Sequence, residues 1–375
     1  MTPPAIQNSG LLLSTFEEPP KLVALPMPQA AAGTVVVTVL ATFVAPNAQD
    51  IYGGKKGCRL PLPMTPGYGC IGRIHEIRPD TTKLKVGDLV YVDPFLQGRD
   101  DADVAILLGH AEGMRPEGRA LMEKVWRNGA LQKLLAAPLE NCVHIDQDHL
   151  AGGTPYTPVE LMTLLPYVVA AGPLIETANL QPGETVVIGP ASGMYSGAAV
   201  EVALALGANV VALGRSEEKL AKMRETLGRS KRFQTVAMTG DIGADIAALQ
   251  RVLPNGADVH SNWSPSGIKE TLYVRTVSMA LNQNARIVLS GQSETLTSLH
   301  PGLMVLKNIL VTGKLMYSRS TVQGLMDLIS LGLLDIGECA GAVVRTYGLE
   351  YFSDALETTE EHATWRHFTV VTPNV

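Results

Sequence analysis

A short run of small residues, Gly189 to Gly193, is the first place where this chain could bind a phosphate group. It follows an apolar, β-branched run, Thr185 to Ile188, and precedes a predicted helix from about Ser196 to Leu206. A turn between a strand and a helix aims free backbone N–H groups and the positive end of the helix dipole at one point, where a pyrophosphate is stabilised. The turn therefore predicts a dinucleotide site. Its predicted contacts are Ala191, Ser192, Gly193, Met194 and Tyr195.

The glycine spacing leaves a second interpretation open. Gly189, Gly193 and Gly197 are four residues apart, which is a poor match to the G-x-G-x-x-G pattern of dinucleotide sites. On this interpretation the glycines only let a helix pack closely against a sheet.

The end of the next apolar run, Asn209 to Leu213, favours the nucleotide and indicates which one it is. NAD sites carry an acidic side chain there, which binds the ribose 2′-hydroxyl. This chain has Gly214, Arg215 and Ser216 instead, with Lys219 one helical turn later. Two cations and a hydroxyl in place of an acid suit a 2′-phosphate. We therefore predict NADPH as the cofactor.

Strand and helix signals divide the chain into two regions. The first 95 residues alternate short apolar runs with prolines and glycines and are predicted to be an all-β unit, as in an antiparallel barrel, and residues 98–125 form a more polar lobe on it. From about Pro158 a helical pattern precedes the turn, and strands follow at DVHSNW, ARIVLSG and NILVTGKLMYS. Helix alternating with strand predicts an α/β fold with a doubly wound parallel sheet. HFTVVTP, near the end, is predicted to return to the first domain as a strand. The predicted domains are 1–155 with 334–375, and 156–333.

Composition excludes several classes of partner. A formal charge of −6 and a pI near 5.8 give no basic face for nucleic acid. The sequence starts without a basic and apolar leader, and no apolar run is expected to approach the ~18 residues of a membrane span. We therefore expect a cytoplasmic protein with no membrane contact. The four cysteines are far apart with no C-x-x-C pair, which predicts neither a disulfide framework nor a cysteine zinc site.

Several segments, taken together and in order, resemble the medium-chain dehydrogenase/reductase superfamily, and within it the zinc-free quinone-oxidoreductase and enoyl-reductase branches. They are PGYGCIGRI, LKVGDLVYV, LQPGETVVI with the glycine turn, GRSEEKL and ARIVLSG. The resemblance covers nearly the whole chain. It implies a GroES-like β-barrel catalytic domain, a Rossmann nucleotide-binding domain, and a homodimer formed through NILVTGKLMYS.

The positions of the family's metal ligands differ in this chain. Zinc-dependent members carry a cysteine where Asn47 stands, a His-Glu pair where Tyr68 and Gly69 stand, and four clustered cysteines in the lobe, which has none here. Zinc requires three or four converging Cys, His or carboxylate ligands. We therefore predict that the protein binds no metal.

The resemblance also implies which residues face the substrate. Asn47, Asp50 and Tyr52 match the N-x-x-D-x-Y signature of the zinc-free branch, in which the asparagine and tyrosine lie near the nicotinamide. We predict Tyr52, Tyr68 and Asn47 as catalytic hydrogen-bond donors, with Lys55 or Lys56 as weaker candidates. For each tyrosine the alternative is a buried ring with a locally bonded hydroxyl. Ser290 and Gly291, at the end of a strand, are expected to approach the nicotinamide.

A site without a metal favours some reactions over others. Hydride addition to a C=C bond conjugated to a carbonyl places the negative charge on an enolate oxygen, which hydrogen-bond donors can stabilise. A simple ketone keeps the charge on one alkoxide, where a Lewis acid helps more. The sequence thus predicts a reductase of a small, largely apolar enoyl or quinone-type acceptor. A carbonyl or imine reductase, and a nucleotide-binding protein without turnover, remain as alternatives.

Overall fold

A computed structural model describes residues 7–55, 57, 59–150, 156–267, 272–293 and 299–374. The chain divides into two compact units. The first comprises Met1–Leu165, Asp335–Ala363 and His367–Val375, and the second comprises Pro166–Leu334 and Thr364–Arg366. The catalytic role of the first region and the nucleotide-binding role of the second stay predictions.

The strands, numbered along the chain, are β1 Ser9–Leu12, β2 Lys21–Ala24, β3 Thr34–Phe43, β4 Tyr68–Glu76, β5 Leu89–Val92, β6 Phe95–Gln97, β7 Ala105–Leu107, β8 Leu134–Pro138, β9 Cys142–His144, β10 Thr185–Gly189, β11 Asn209–Gly214, β12 Phe233–Ala237, β13 Ala257–Asn262, β14 Leu281–Leu289, β15 Leu310–Gly313, β16 Val343–Tyr347 and β17 His367–Val371.

The α-helices are α1 Ala48–Tyr52, α2 Pro116–Lys124, α3 Gln147–Leu150, α4 Pro158–Met162, α5 Leu164–Gly172, α6 Met194–Ala205, α7 Glu217–Leu227, α8 Ile242–Val252, α9 Leu272–Met279, α10 Pro301–Lys307, α11 Arg319–Ser330 and α12 Phe352–His362. A π-helical turn, Pro173–Thr177, follows α5, and 3-10 turns lie at Leu139–Asn141, Gly337–Ala340 and Leu349–Tyr351.

The first unit is built on a seven-stranded sheet. Its order is β16-β17-β3-β4-β5-β9, with β8 also paired to β3. The long strand β3 is buried at seven of its ten positions, so it lies in the core of this unit. The predicted return of the last segment is confirmed, because β17 pairs antiparallel with β3.

The second unit is a six-stranded parallel sheet in the order β12-β11-β10-β13-β14-β15. This is the 3-2-1-4-5-6 order of a doubly wound sheet, so the predicted α/β fold is confirmed. The central strand β10 is buried along Val186–Gly189, as expected when helices cover both faces of a parallel sheet. All the carboxyl ends of these strands lie at one edge, which brings the ends of β10, β11 and β14 together.

Two local predictions differ from the structure. Helix α6 begins at Met194, two residues before the predicted start, because Gly193 already serves as its N-cap. The first 95 residues are not purely β, since Ala48–Tyr52 form a short helix within the Asn47-to-Tyr52 signature.

One helical stretch among the described residues, Pro158–Thr177, is long and apolar enough to cross a membrane. The prediction that no segment approaches this length is therefore wrong. In the most apolar part of this stretch, 72% of the residues are buried inside the protein. The core helix of a globular protein has the same length and composition, so this helix alone is weak support for a membrane span.

Candidate active site

The glycine turn between β10 and α6 opens at the N-terminus of the helix. The first α-helical bond runs from the Gly197 amide to the Gly193 carbonyl at 2.8 Å, so the amides of Met194 and Tyr195 precede the helical hydrogen-bond ladder. The Ala191 amide donates to the Leu213 carbonyl at 2.7 Å and fixes the turn against the end of β11. This arrangement can bind an anion.

Part of the turn is already hydrogen-bonded within the protein. The Gly193 amide donates to the Ser196 hydroxyl at 3.1 Å, which gives the helix a side-chain cap. Gly197 has a packing role, because a Cβ at this position would lie 2.6 Å from Cγ of Trp365. The packing interpretation therefore holds for Gly197, while the first-turn amides remain suited to a phosphate.

At the end of β11, the predicted cations lie at the surface. Arg215 and Lys219 are exposed, and Gly214 is buried, where an added Cβ would lie 3.3 Å from the side chain of Leu220. The hydroxyl of Ser216 accepts from the Lys219 amide at 3.3 Å, so it caps α7. Its cap role fixes the start of the helix that carries Lys219.

A pocket of about 220 Å³ lies within the second unit, beside the glycine turn. It is lined by Ser192 of the turn, by Glu218, Lys219, Lys222 and Met223 of α7, and by Thr364 and Trp365. The sequence analysis missed Lys222, although its spacing of three residues from Lys219 predicts the same helix face. It also missed Thr364 and Trp365, which no local pattern connects to the turn.

A buried hydroxyl group at the same sheet edge lacks a hydrogen-bond partner among the described residues. It belongs to Ser290, which directly follows β14. Tyr273, in α9, is also buried; burial raises its pKa, and the nearby Arg215 opposes that rise. Buried polar groups are normally satisfied, so the unpaired hydroxyl of Ser290 fits the presence of a polar ligand.

Gly291 marks a close backbone approach beside Ser290. Both amides donate to the Asn262 carbonyl, at 2.9 Å from Ser290 and 3.1 Å from Gly291, which ties the ends of β14 and β13 together. A Cβ on Gly291 would lie 2.6 Å from the amide nitrogen of Ser264. The residues at the end of β10, β11 and β14 thus fit a dinucleotide.

In the first unit, Tyr52 and Tyr68 meet at His110, which is not among the residues predicted from the sequence. The Tyr52 hydroxyl lies 3.2 Å from Nδ1 of His110 and 3.3 Å from the Gly109 carbonyl, and it accepts from the Gly67 amide at 3.3 Å. The ring centroids of Tyr68 and His110 are 4.7 Å apart. These buried rings form one cluster.

Burial decides the protonation of this cluster. Desolvation raises the pKa of Tyr52 well above its usual range, although the Gly67 amide lowers it. Desolvation also lowers the pKa of His110 to about 4. Both side chains are therefore neutral at pH 7 and can only donate or accept hydrogen bonds.

The remaining catalytic candidates are less constrained. Asn47 is half-buried and precedes α1, and its side chain makes no cap bond to the helix. Lys55 lies at the surface with its Nζ 3.6 Å from Asp50 Oδ1. Lys56 lies outside the described residues.

The chemistry of the side chains does not fit zinc in the part of the chain that the structure describes. No group of three or more His, Cys, Asp or Glu side chains converges there. Asn47, Tyr68 and Gly69 supply no thiolate, imidazole or carboxylate. Cys70 and Cys142 are buried thiols, Cys339 is exposed, and Cys58 lies outside the described residues.

A glycine turn at the carboxyl edge of a 3-2-1-4-5-6 sheet is typical of the Rossmann fold. Two families match the chain. The zinc-binding dehydrogenase family matches residues 196–330, and the alcohol dehydrogenase GroES-like domain family matches residues 31–147. The chain belongs to the medium-chain dehydrogenase/reductase superfamily, whose members use a nicotinamide nucleotide. The resemblance to that superfamily, and the GroES-like and Rossmann folds it implied, are confirmed.

Solved structures agree with the fold. A crystal structure described as an NAD-dependent alcohol dehydrogenase is 20% identical, with a TM-score of 0.76, and the match covers 98% of this chain and 100% of that one. The 2R,3R-butanediol dehydrogenase of Bacillus subtilis is 18% identical, with a TM-score of 0.77 and coverage of 98% and 100%. At these identities the likeness shows the fold alone.

The curated relatives include two different kinds of protein. An alcohol dehydrogenase of Geobacillus stearothermophilus is 24% identical over 359 residues, which are 93% of this chain and 95% of the relative. The potassium-binding subunit of a potassium-transporting ATPase of Methylobacterium nodulans is 27% identical over 201 residues, which are 52% of this chain. The chain spans about a third of the length of that relative, 35%.

Proposed function

We propose that the cofactor is NADPH. The observation that carries this proposal is the pocket beside the glycine turn, where Lys219 and Lys222 line one wall and Ser192 another. Arg215 adds a third exposed cation at the end of β11, where Gly214 stands in place of the acid of an NAD site. Glu218 also lines the pocket, but the cations outnumber it, so a 2′-phosphate is attracted.

We further propose that the enzyme reduces an activated double bond, of an enoyl or quinone-type acceptor on a small, largely apolar metabolite, without a metal. When bound, the nicotinamide supplies a hydride. The chain's task is to orient the acceptor and to donate hydrogen bonds to the oxygen on which negative charge develops. Asn47, Tyr52 and Tyr68 are the proposed donors. For Tyr52 this role requires its hydroxyl to leave the local bond that it makes to Gly109 or His110. Their neutral side chains suit a delocalised enolate better than a localised alkoxide.

Tyr52 differs from the other proposed donors because two acceptors of the protein lie near its hydroxyl. Its hydroxyl has one proton to donate, and both Nδ1 of His110 and the Gly109 carbonyl lie within reach of it. We propose that Tyr52 and His110 set the direction of the hydrogen bonds in this cluster, with the proton for the α carbon taken from solvent or from a tyrosine.

The experiment is an assay of NADPH oxidation with one enone, one ketone and one cyclic imine, each before and after treatment with a chelator. The proposal expects oxidation with the enone that is resistant to the chelator. Loss of turnover on chelation, restored by zinc, would contradict metal independence.

Two alternatives are favoured by specific observations. The solved structures and one set of curated relatives are named as alcohol dehydrogenases, which favours a carbonyl or imine reductase of the same superfamily. The Gly193 amide is capped by Ser196, and bulky Met194 and Tyr195 follow it, which favours a nucleotide-binding protein without turnover. Oxidation only of the ketone or imine would select the first. Tight calorimetric binding of NADPH with no turnover across the panel would select the second.

We also propose a cytoplasmic homodimer. Strand β15 is an edge of the six-stranded sheet, and it is followed and preceded by exposed apolar side chains. Val305 and Leu306 are each 77% exposed, and Leu310 and Leu315 are 56% and 67% exposed. An apolar patch on an unpaired sheet edge suits a two-fold contact.

A further inference from the structure

Three residues near the end of the chain, Thr364–Arg366, belong to the second unit and lie against the glycine turn. The Trp365 amide donates to the Ser192 carbonyl at 3.1 Å. Thr364 and Gly193 form an isolated antiparallel β-bridge. The turn is thus held by backbone bonds from a segment more than 170 residues later in the chain.

A buried carboxylate, that of Glu201, accepts hydrogen bonds from this segment. Glu201, in the middle of α6, is 5% exposed, and its Oε2 accepts from Trp365 Nε1 at 2.8 Å. Its Oε1 accepts from Nε of Arg366 at 3.0 Å, and from Nη2 of the same side chain. The hydroxyl of Tyr167 donates to Oε2 at 3.0 Å. A buried ion pair is weak support for stability, but the four hydrogen bonds to Glu201 restrict where Trp365 and Arg366 can lie.

Two neighbours, Arg366 and Gly197, pack against the indole ring of Trp365. Cζ of the Arg366 guanidinium lies 4.7 Å from the ring centroid of Trp365, at cation–π distance. On another side the ring packs against Gly197, where a Cβ would lie 2.6 Å from Cγ of Trp365. These contacts hold the Trp365 side chain in place. There it lines the same pocket as Lys219 and Lys222.

We propose that Trp365 is a cofactor-binding residue, which contacts the ribose-phosphate end of the dinucleotide opposite Lys219 and Lys222, and that Glu201 is the positioning residue that holds it there. This inference rests on the proposed function, because it takes the pocket as the 2′-phosphate site. Trp365 would be a residue of the cofactor site that lies outside the strand–turn–helix segment from β10 to α6. Glu201 acts through Trp365 and does not itself touch the nucleotide.

The test uses Trp365 as its own reporter. The chain has three tryptophans, so replacing Trp126 and Trp263 with Phe leaves Trp365 as the single emitter. The probe is 2′,5′-ADP, which carries the 2′-phosphate but no nicotinamide. We expect a saturable change in Trp365 fluorescence with the same Kd that calorimetry gives.

Variants separate positioning from stability. Glu201→Gln is expected to raise the Kd for 2′,5′-ADP and the KM for NADPH about tenfold, the effect of one charge-assisted hydrogen bond, with kcat little changed. Trp365→Phe is expected to do the same. Tyr167→Phe removes another donor to Glu201 without touching Trp365, so it is the matched control: it should lower the thermal midpoint and leave both constants unchanged.

The outcomes are distinguishable. If calorimetry shows 2′,5′-ADP binding while Trp365 fluorescence stays constant, or if Trp365→Phe binds as tightly as the parent, the inference is wrong and the proposed cofactor stands. If Glu201→Gln changes affinity no more than Tyr167→Phe does, Glu201 is only structural and its positioning role is overturned. If the parent protein binds neither 2′,5′-ADP nor NADPH, both the inference and the proposed function fail.

Discussion

The hydroxyl oxygen of Tyr52 lies 3.2 Å from Nδ1 of His110, and both side chains are buried in the first unit. The two residues are 58 positions apart in the sequence. Desolvation on burial lowers the pKa of His110 and keeps its imidazole neutral at pH 7. The pair is a neutral hydrogen-bonded unit whose stability depends on pH.

The first prediction concerns acid stability. Burial lowers the pKa of His110 to about 4, and that of His260 to about 4 although the Val187 carbonyl opposes it. Between pH 4 and the ordinary histidine pKa of about 6.5, the unfolded chain binds more protons than the folded one. The free energy of unfolding should therefore fall as pH drops through that window, by about 1.4 kcal/mol per unit of pKa shift for each histidine. Urea unfolding at several pH values measures it.

The control for this prediction is a surface histidine. His110→Gln should remove about half of the pH dependence, because His260 still contributes, whereas His362→Gln, at an exposed position, should leave the slope unchanged. Equal slopes for the two variants would mean that His110 does not titrate in this range.

The second prediction concerns cofactor preference. Lys219→Ala and Lys222→Ala should each weaken NADPH binding about tenfold, because each removes a cation near the 2′-phosphate, and should change NADH binding much less. Calorimetry with both nucleotides, at fixed ionic strength, measures the ratio. Lys231→Ala is the control, since Lys231 lines a different pocket of the same unit, together with Arg232 and Asn255. Equal losses for NADPH and NADH would argue against a 2′-phosphate site.

How much of this could be read from the sequence depends on the distance between interacting residues. The parallel sheet and its turn were predictable, because β10, the turn and α6 are contiguous and their apolar pattern is local. The contact of Trp365 with Glu201 joins residues 164 positions apart, and nothing in the local pattern around either indicates it. The contact of Tyr52 with His110 likewise joins residues 58 positions apart, so no local pattern indicates it.

Lys222 is absent from the predicted site residues for a different reason. Its helical spacing from Lys219 was visible, but a lysine on α7 is usually a solvated residue. Only the pocket, with Ser192 on the opposite side, distinguishes Lys222 from the other lysines of the chain.

The third prediction concerns oligomeric state. Leu310→Glu, on the edge strand β15, should convert a dimer to a monomer at micromolar concentration, because a charge would be buried in the apolar contact. Sedimentation measures the change. Leu331→Glu is the control, since Leu331 is also exposed but lies at the C-terminus of α11. A monomeric parent protein would remove the proposed dimer.

The last prediction tests the packing of Trp365 on α6. Gly197→Ala places a Cβ 2.6 Å from Cγ of the indole, and the ring cannot retreat while Glu201 holds its Nε1, so the variant should lose about 1–3 kcal/mol of unfolding free energy. Gly324→Ala is the matched control, because Gly324 lies in α11 with no atom within 4 Å of a Cβ. There the same substitution should stabilise the protein by about 0.5–1 kcal/mol through helix propensity. Denaturant unfolding of both variants gives the comparison, and two changes of the same sign would show that Trp365 is free to move away from α6.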